Sequence, residues 1–276
     1  MKILAIGDFH GKFPENLRKK AKEVDLIISV GDFPDSSELR DAEFKHWKEL
    51  KKKSLSKIIG KKKYISLLKK QSSSQEKILK ILSSFKKPVF VIYGNADMTN
   101  KEAKKFSSEG LETQCEKFGI TLLKKDFSKI DNFVIAGFPG YRGAGSKGLT
   151  KMSIWNSLRV IYYNFKWNRK LNSFGNELKN FSNVLFVAHD VPYGYFDLIK
   201  NKSSPLNNHR IGDKYFTGFI KKFQPELFLC GHMHEYHGIK KLGKTRIVQV
   251  GAALDKKGAI INLDKNGKVG KIQLIK

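Results

Sequence analysis

Cysteine is nearly absent: the 276 residues include only Cys115 and Cys230. Two cysteines build no disulfide framework and no cysteine-rich zinc module, so a reducing cytoplasm is the expected compartment. Long apolar runs are missing too. None approaches the roughly 18–20 residues that a membrane helix needs. The opening stretch from Met1 to Asp8 reaches a Gly-Asp pair too early for a secretory apolar region. Acidic residues are scarce, at 26 Asp and Glu against 53 Lys and Arg, which gives a formal charge of +27. Such a surface attracts nucleic acid, anionic lipid or phosphorylated metabolites, and charge alone selects none of them. Hydrophobic residues still make up 40%, enough for a packed core.

What is present is a rhythm of short apolar runs: Ile3–Ile6, Leu26–Val30, Val89–Tyr93, Phe133–Phe138, Val184–Ala188, Leu227–Cys230, Arg246–Val250 and Ala259–Leu263. Their length and β-branched content predict buried strands. Helical spacing fills several gaps, over Phe13–Lys22, Ser74–Phe85 and Tyr215–Phe223. Strands alternating with helices predict α/β layers in one domain spanning 1–276, with the last strands antiparallel.

Two stretches break the rhythm and read as insertions. Residues at about 38–87 carry Lys51–Lys53, Lys61–Lys63 and Lys69-Lys70, threaded with Leu55, Ile58, Ile59, Ile65 and Leu68, and predict basic amphipathic helix interrupted at Gly60. Residues at about 139–182 begin glycine-rich and continue with Trp155, Leu158, Tyr162 and Phe165 at helical spacing, a lid-like aromatic segment. Either stretch packs an apolar face on the core with its lysines solvated, or forms a cationic face over an anionic substrate.

Polar residues gather where the apolar runs end. They are Asp8 and His10, Asp32, Asn95 with Asp97, His189 with Asp190, and His232 with His234. In open α/β sheets, ligand sites form beyond the carboxyl ends of strands. Imidazoles and hard oxygens without thiolate suit Mn, Fe, Zn or Ni better than Ca. Seven of these, Asp8, His10, Asp32, Asn95, His189, His232 and His234, are counted as donors; they exceed one tetrahedral ion and suit two ions sharing a bridging carboxylate. Asp35 and Asp190 are read as turn or helix caps, and His46 and His237 as surface residues.

The ordered set Asp8-x-His10, Gly31-Asp32, Gly94-Asn95-Ala96-Asp97, His189 and Gly231-His232-Met233-His234 resembles the calcineurin-like metallophosphoesterases. The stretch from His189 to Gly251 is similar to one subgroup, the Icc-related predicted phosphoesterases. It carries Pro192-Tyr193-Gly194 after His189, then His209-Arg210-Ile211-Gly212, then Glu235 after His234. The resemblance implies a four-layer αββα sandwich of two mixed sheets flanked by helices. It implies one divalent ion on Asp8, His10, Asp32 and His234, and a second on Asp32, Asn95, His189 and His232. Manganese is the expected metal, with Fe, Zn, Ni or Mg as alternatives. The implied chemistry is attack on a phosphate ester by a hydroxide bridging the two ions.

One position departs from that pattern. The family's usual histidine beside the substrate is Ala96 here. Losing a general acid costs about 10²–10⁴ in rate unless the leaving group is good or another donor replaces it. Family members without that histidine resemble phosphodiesterases more than general monoesterases, so the resemblance implies a phosphodiesterase before a monoesterase. His209 is the expected replacement acid. Arg210, or Arg142, is expected to meet the phosphoryl charge. The expected partner is a phosphorylated small molecule or nucleotide. A nuclease and a non-catalytic scaffold that retains the fold are the competing readings, and a basic face that docks on an anionic membrane is compatible with the first.

Overall fold

The computed structural model describes residues 1–140, 154–201, 204 and 206–276, with backbone alone for 154–161. Arg142 and the rest of the glycine-rich stretch 141–148 lie outside the described residues.

Two six-stranded sheets stack face to face. The first is built from β1 (Lys2–Ile6), β2 (Leu26–Ser29), β3 (Val89–Val91), β4 (Thr121–Leu122), β11 (Gly258–Leu263) and β12 (Val269–Ile275). Its order is β12-β11-β1-β2-β3-β4, parallel from β1 to β4 and antiparallel at β11 and β12. The second holds β5 (Asp126–Ile130), β6 (Phe133–Gly137), β7 (Val184–Val187), β8 (Leu227–Cys230), β9 (Gly238–Leu242) and β10 (Thr245–Gln249). Its order is β5-β6-β7-β8-β10-β9, with β6, β7, β8 and β10 parallel and both edges antiparallel. Strands at the centre are apolar on both sides because both sheet faces are covered.

The core between the sheets contains Ile3, Ile28, Ile92, Leu185, Leu229 and Val248, all at most 1% exposed. Outside the first sheet lie α1 (Glu15–Lys22), α4 (Lys61–Ser84) and α6 (Leu111–Lys117), which bury Leu17, Leu79 and Leu111 against it. Outside the second lie α7 (Ile154–Leu178) and α8 (Lys214–Phe223), which bury Phe174 and Phe216. The result is the four-layer αββα sandwich.

The basic stretch forms α2 (Ser37–Lys45), a short α3 (Leu55–Ile58) and most of α4. Gly60, at φ 87°, ends the irregular chain before α4, which then runs unbroken to Ser84. The predicted helix over Ser74–Phe85 is thus the second half of one longer helix. A fifth helix of one turn, α5 (Asn100–Ala103), follows β3. β10 and β11 are successive but belong to different sheets, so the antiparallel pairs at the chain's end are β9 with β10 and β11 with β12.

Candidate metal centre

Every residue of the predicted donor set sits in a loop that leaves a strand. Asp8 and His10 follow β1, Asp32 follows β2 and Asn95 follows β3, while His189 follows β7 and His232 and His234 follow β8. The loops are stitched together by main chain. Asp8 N donates to Gly31 O at 2.8 Å, Phe9 N to Asp32 O at 2.8 Å, and Gly231 N to His189 O at 3.0 Å. Asp8, His10, Asp32 and His232 all take positive φ, between 43° and 69°. Such backbone costs of order 1–3 kcal/mol per residue and persists where surrounding contacts over-determine it. Gly94 approaches Asp32 so closely that a Cβ there would overlap the Asp32 carboxylate.

Two groups of donors result. In the first, His10 Nε2 and His234 Nε2 are 3.2 Å apart, His234 Nε2 is 3.3 Å from Asp8 Oδ1, and His10 Nε2 is 3.8 Å from Asp32 Oδ2. In the second, His189 Nε2 and His232 Nδ1 face Asn95 Oδ1 at 2.9 and 2.7 Å, and His189 Nε2 is 3.5 Å from Asp32 Oδ2. A single oxygen, Asp32 Oδ2, therefore faces both groups.

Three of these spacings, 3.2, 3.3 and 3.5 Å, match donors that share a cation. Imidazole and carboxylate donors bound at about 2.0–2.2 Å lie roughly 3.0–3.5 Å from one another on a tetrahedral or octahedral shell. Two imidazole nitrogens aimed at each other at 3.2 Å share at most one proton, and a common cation satisfies both. Tautomers agree with this arrangement. His189 Nδ1 donates to the Val30 carbonyl at 2.7 Å, which turns Nε2 and its lone pair to the cluster when the ring is neutral.

Electrostatics link the groups. Burial opposes ionisation of Asp32, but His189, His10 and the Ala96 N–H hold its carboxyl well below the usual range. Burial likewise opposes a charge on His189, and Asp32 overrides it and raises the ring. Burial lowers His10 despite the nearby carboxylates.

The structure brings Asp8, His10, Asp32, Asn95, His189, His232 and His234 together. His209 and Arg210 stand apart. His209 is exposed, with Nδ1 at 3.0 Å from Asn207 O, and Arg210 is committed to the buried Asp197 carboxylate. Among the described residues, no hydrogen bond or ion pair joins either one to the seven.

Sequence reading undervalued three residues near the centre. Asp190, read as a cap, lies with His189 and His232 in a group whose ligand atoms are within 4.8 Å of one another; its place directly after His189 was the available signal. Asp97 is buried and accepts N–H groups from Asp32, Phe33 and Gly94. Arg40 of α2 lies near enough for its charge to act on both His10 and His234.

Comparison with known proteins agrees with this fold. An uncharacterized protein of Methanocaldococcus jannaschii is 23% identical over 252 residues, covering 90% of this chain and 87% of its own. Among solved structures, TT1561 of Thermus thermophilus superposes with a TM-score of 0.56 at 18% identity, covering 99% of this chain and 97% of that one. A dimetal phosphatase from Danio rerio gives 0.53 at 12% identity, covering 100% and 98%. These structures share the fold. The profile of the metallophosphoesterase family, calcineurin superfamily, matches residues 1–273, and the chain belongs to that family.

Proposed function

We propose that the chain is a dinuclear metal-dependent phosphodiesterase. The observation that carries this reading is the position of Asp32 Oδ2, which faces His10 on one side and His189 on the other. Asp8, His10, Asp32 and His234 would hold one divalent ion; Asp32, Asn95, His189 and His232 would hold the second. Divalent ions, when bound, stabilise charge on a phosphoryl group and make water acidic enough to attack it near neutral pH.

The chain's own residues set the rest. Asp32 Oδ1 accepts the Ala96 N–H at 2.8 Å, which fixes the carboxylate and leaves Oδ2 for the cluster. The Ala96 side chain offers no proton to a leaving oxygen. His209, exposed and turned to Asn207, offers none in this arrangement. A leaving oxygen then departs as a weak base or takes its proton from solvent; the diester preference follows the resemblance to family members without that histidine. Four imidazoles and three oxygen donors without thiolate admit Mn, Fe, Zn or Ni, and manganese is the ion the family resemblance implies. Cytoplasmic residence belongs to the same reading, since both cysteines are free and buried.

Metal-stripped protein reloaded with Mn, Ni, Zn or Mg tests the proposal on bis-p-nitrophenyl phosphate and p-nitrophenyl phosphate. Metal-dependent cleavage of the diester, lost in Asp32→Asn and His232→Ala, is expected. Preference for the monoester would overturn the diester assignment. No turnover with two bound ions would favour the scaffold reading.

A further inference from the structure

The segment from 38 to 87 carries sixteen Lys and Arg against five Asp and Glu, and the phosphodiesterase reading leaves it unused. Its longest helix, α4, is sharply two-sided. One side buries Leu67, Gln71, Gln75, Ile78, Leu79 and Leu82. The opposite side forms an open depression of about 680 Å³ lined by lysines 62, 69, 70 and 77, serines 66, 73 and 74, and Ile65. No acidic residue lines it. From Lys62 to Lys77 the stripe extends about 22 Å along the helix.

This face joins the metal centre through a short, well-defined path. Asp35, three residues beyond Asp32, donates its N–H to Ser74 Oγ at 2.8 Å. Ser36 places its hydroxyl 3.5 Å from His10 Nδ1. α2 starts there, and Lys70 pairs with its Glu38 at 2.8 Å. One turn along α2 stands Arg40, whose N–H donates to Ser36 O. One turn further, on the same side of the helix, is Phe44 at 54% exposed, followed by Trp47 at 45%.

We propose that α2 and α4 form a track for single-stranded nucleic acid, which leads one of its phosphodiesters to the metal centre. The proposal rests on the phosphodiesterase reading for the cleavage step, and on charge and shape for binding. Lysines interspersed with serines are side chains that contact phosphate oxygens without reading sequence. Exposed aromatics beside such a track supply stacking faces for unpaired bases. A membrane-docking face would need apolar side chains projecting from the stripe, and its one apolar residue, Ile65, packs instead beside Met98 and Phe106.

The test is fluorescence anisotropy of a labelled 12-nucleotide single strand with the full chain in EDTA, where no cleavage occurs. A triple variant, Lys62→Glu, Lys69→Glu and Lys77→Glu, changes only exposed side chains. Its binding is expected to weaken at least tenfold. The slope of log affinity against log salt should fall by about 2, at roughly 0.7 for each phosphate that is no longer neutralised. A control with the same charge change at exposed Lys19, Lys241 and Lys265 should keep most of the affinity. Equal weakening in the control would overturn the track in favour of bulk charge. Binding of the wild type to phosphatidylglycerol vesicles, lost in the triple variant while the strand still binds, would overturn it in favour of a membrane face. Cleavage of the small chromogenic diester separates the two proposals. The triple variant should retain it, and its absence in the wild type would count against the phosphodiesterase and not against the track.

Discussion

The carboxylate of Asp97 accepts the backbone N–H of Asp32 at 2.9 Å, across 65 residues of sequence. Its second oxygen takes the Phe33 N–H at 2.8 Å, and Gly94 N adds a further bond at 2.6 Å. With alanine at 96, this acid has no neighbouring histidine to orient. Instead it fixes the left-handed turn from which Asp32 reaches both donor groups.

Asp97→Ala should therefore weaken both fold and metal binding. Leaving buried N–H groups without an acceptor costs about 1–3 kcal/mol each. A loss of about 3 kcal/mol or more is expected in denaturant unfolding of the metal-free protein. Unchanged stability with lower metal affinity would show that Asp97 acts on the centre alone.

Removing ligands should change metal stoichiometry in a pattern. His10→Ala is expected to leave one tightly bound ion per chain, and Asp32→Asn to weaken both, because Asp32 Oδ2 faces donors of both groups. Elemental analysis after dialysis against a weak chelator reads this directly. Loss of both ions in His10→Ala would show that the sites fill together.

Glycine at 94 and 231 is a packing requirement of the centre. A Cβ at 231 would come within 2.5 Å of Asp8 Oδ2, and one at 94 would overlap Asp32 Oδ1. Gly231→Ala and Gly94→Ala should fold yet lose metal affinity by about 10–100-fold, the range seen when a ligand's support is disturbed. Isothermal titration with Mn²⁺ would measure it, and wild-type affinity in both would refute the close-approach argument.

Asp213 caps α8 by accepting from Tyr215 N and Phe216 N. Burial, then the charge of Asp190, pushes its carboxyl up to about 6, against hydrogen bonds from Tyr215, Phe216 and Trp167. The unfolded group titrates near 3.8. Between those values the folded state still holds a proton that the unfolded state has released. The contribution is fully present below pH 3.8 and is lost as pH rises through 6. Asp213→Asn keeps an acceptor oxygen and does not titrate. Its melting temperature should gain on the wild type by several degrees from pH 4 to pH 7, and parallel curves would exclude Asp213 as the cause.

Much of the fold was legible because its central strands are covered on both faces. Leu4, Ile28, Phe186 and Leu229 lie in runs with no polar side to confuse them. The strands that escaped are edges: Thr121–Leu122 is only two residues long, and Asp126–Ile130, Gly238–Leu242 and Val269–Ile275 mix lysine, aspartate or glutamine with apolar residues because one side meets water. The continuity of α4 was hidden by its buried polar residues. Gln75 sits in the interior by donating to Gln114 Oε1 at 2.9 Å and accepting from Met98 N at 3.1 Å, and no apolar periodicity announces that. The seven candidate donors stood out because each follows an apolar run. Arg40 was not, because its nearness to the centre depends on where α2 starts in space.

The order of the first sheet has a consequence for how the chain comes off the ribosome. β1 pairs with β2 on one side and with β11 on the other, so Leu4 waits for Ile260. Asp8 likewise waits for the backbone N–H of His232, 224 residues later. A nascent chain that has exposed only its first half owns Asp8, His10, Asp32 and Asn95 but none of the three later histidines. Contacts this distant form late and slowly. A metal site that draws on all seven residues would be complete only once residue 234 has been made.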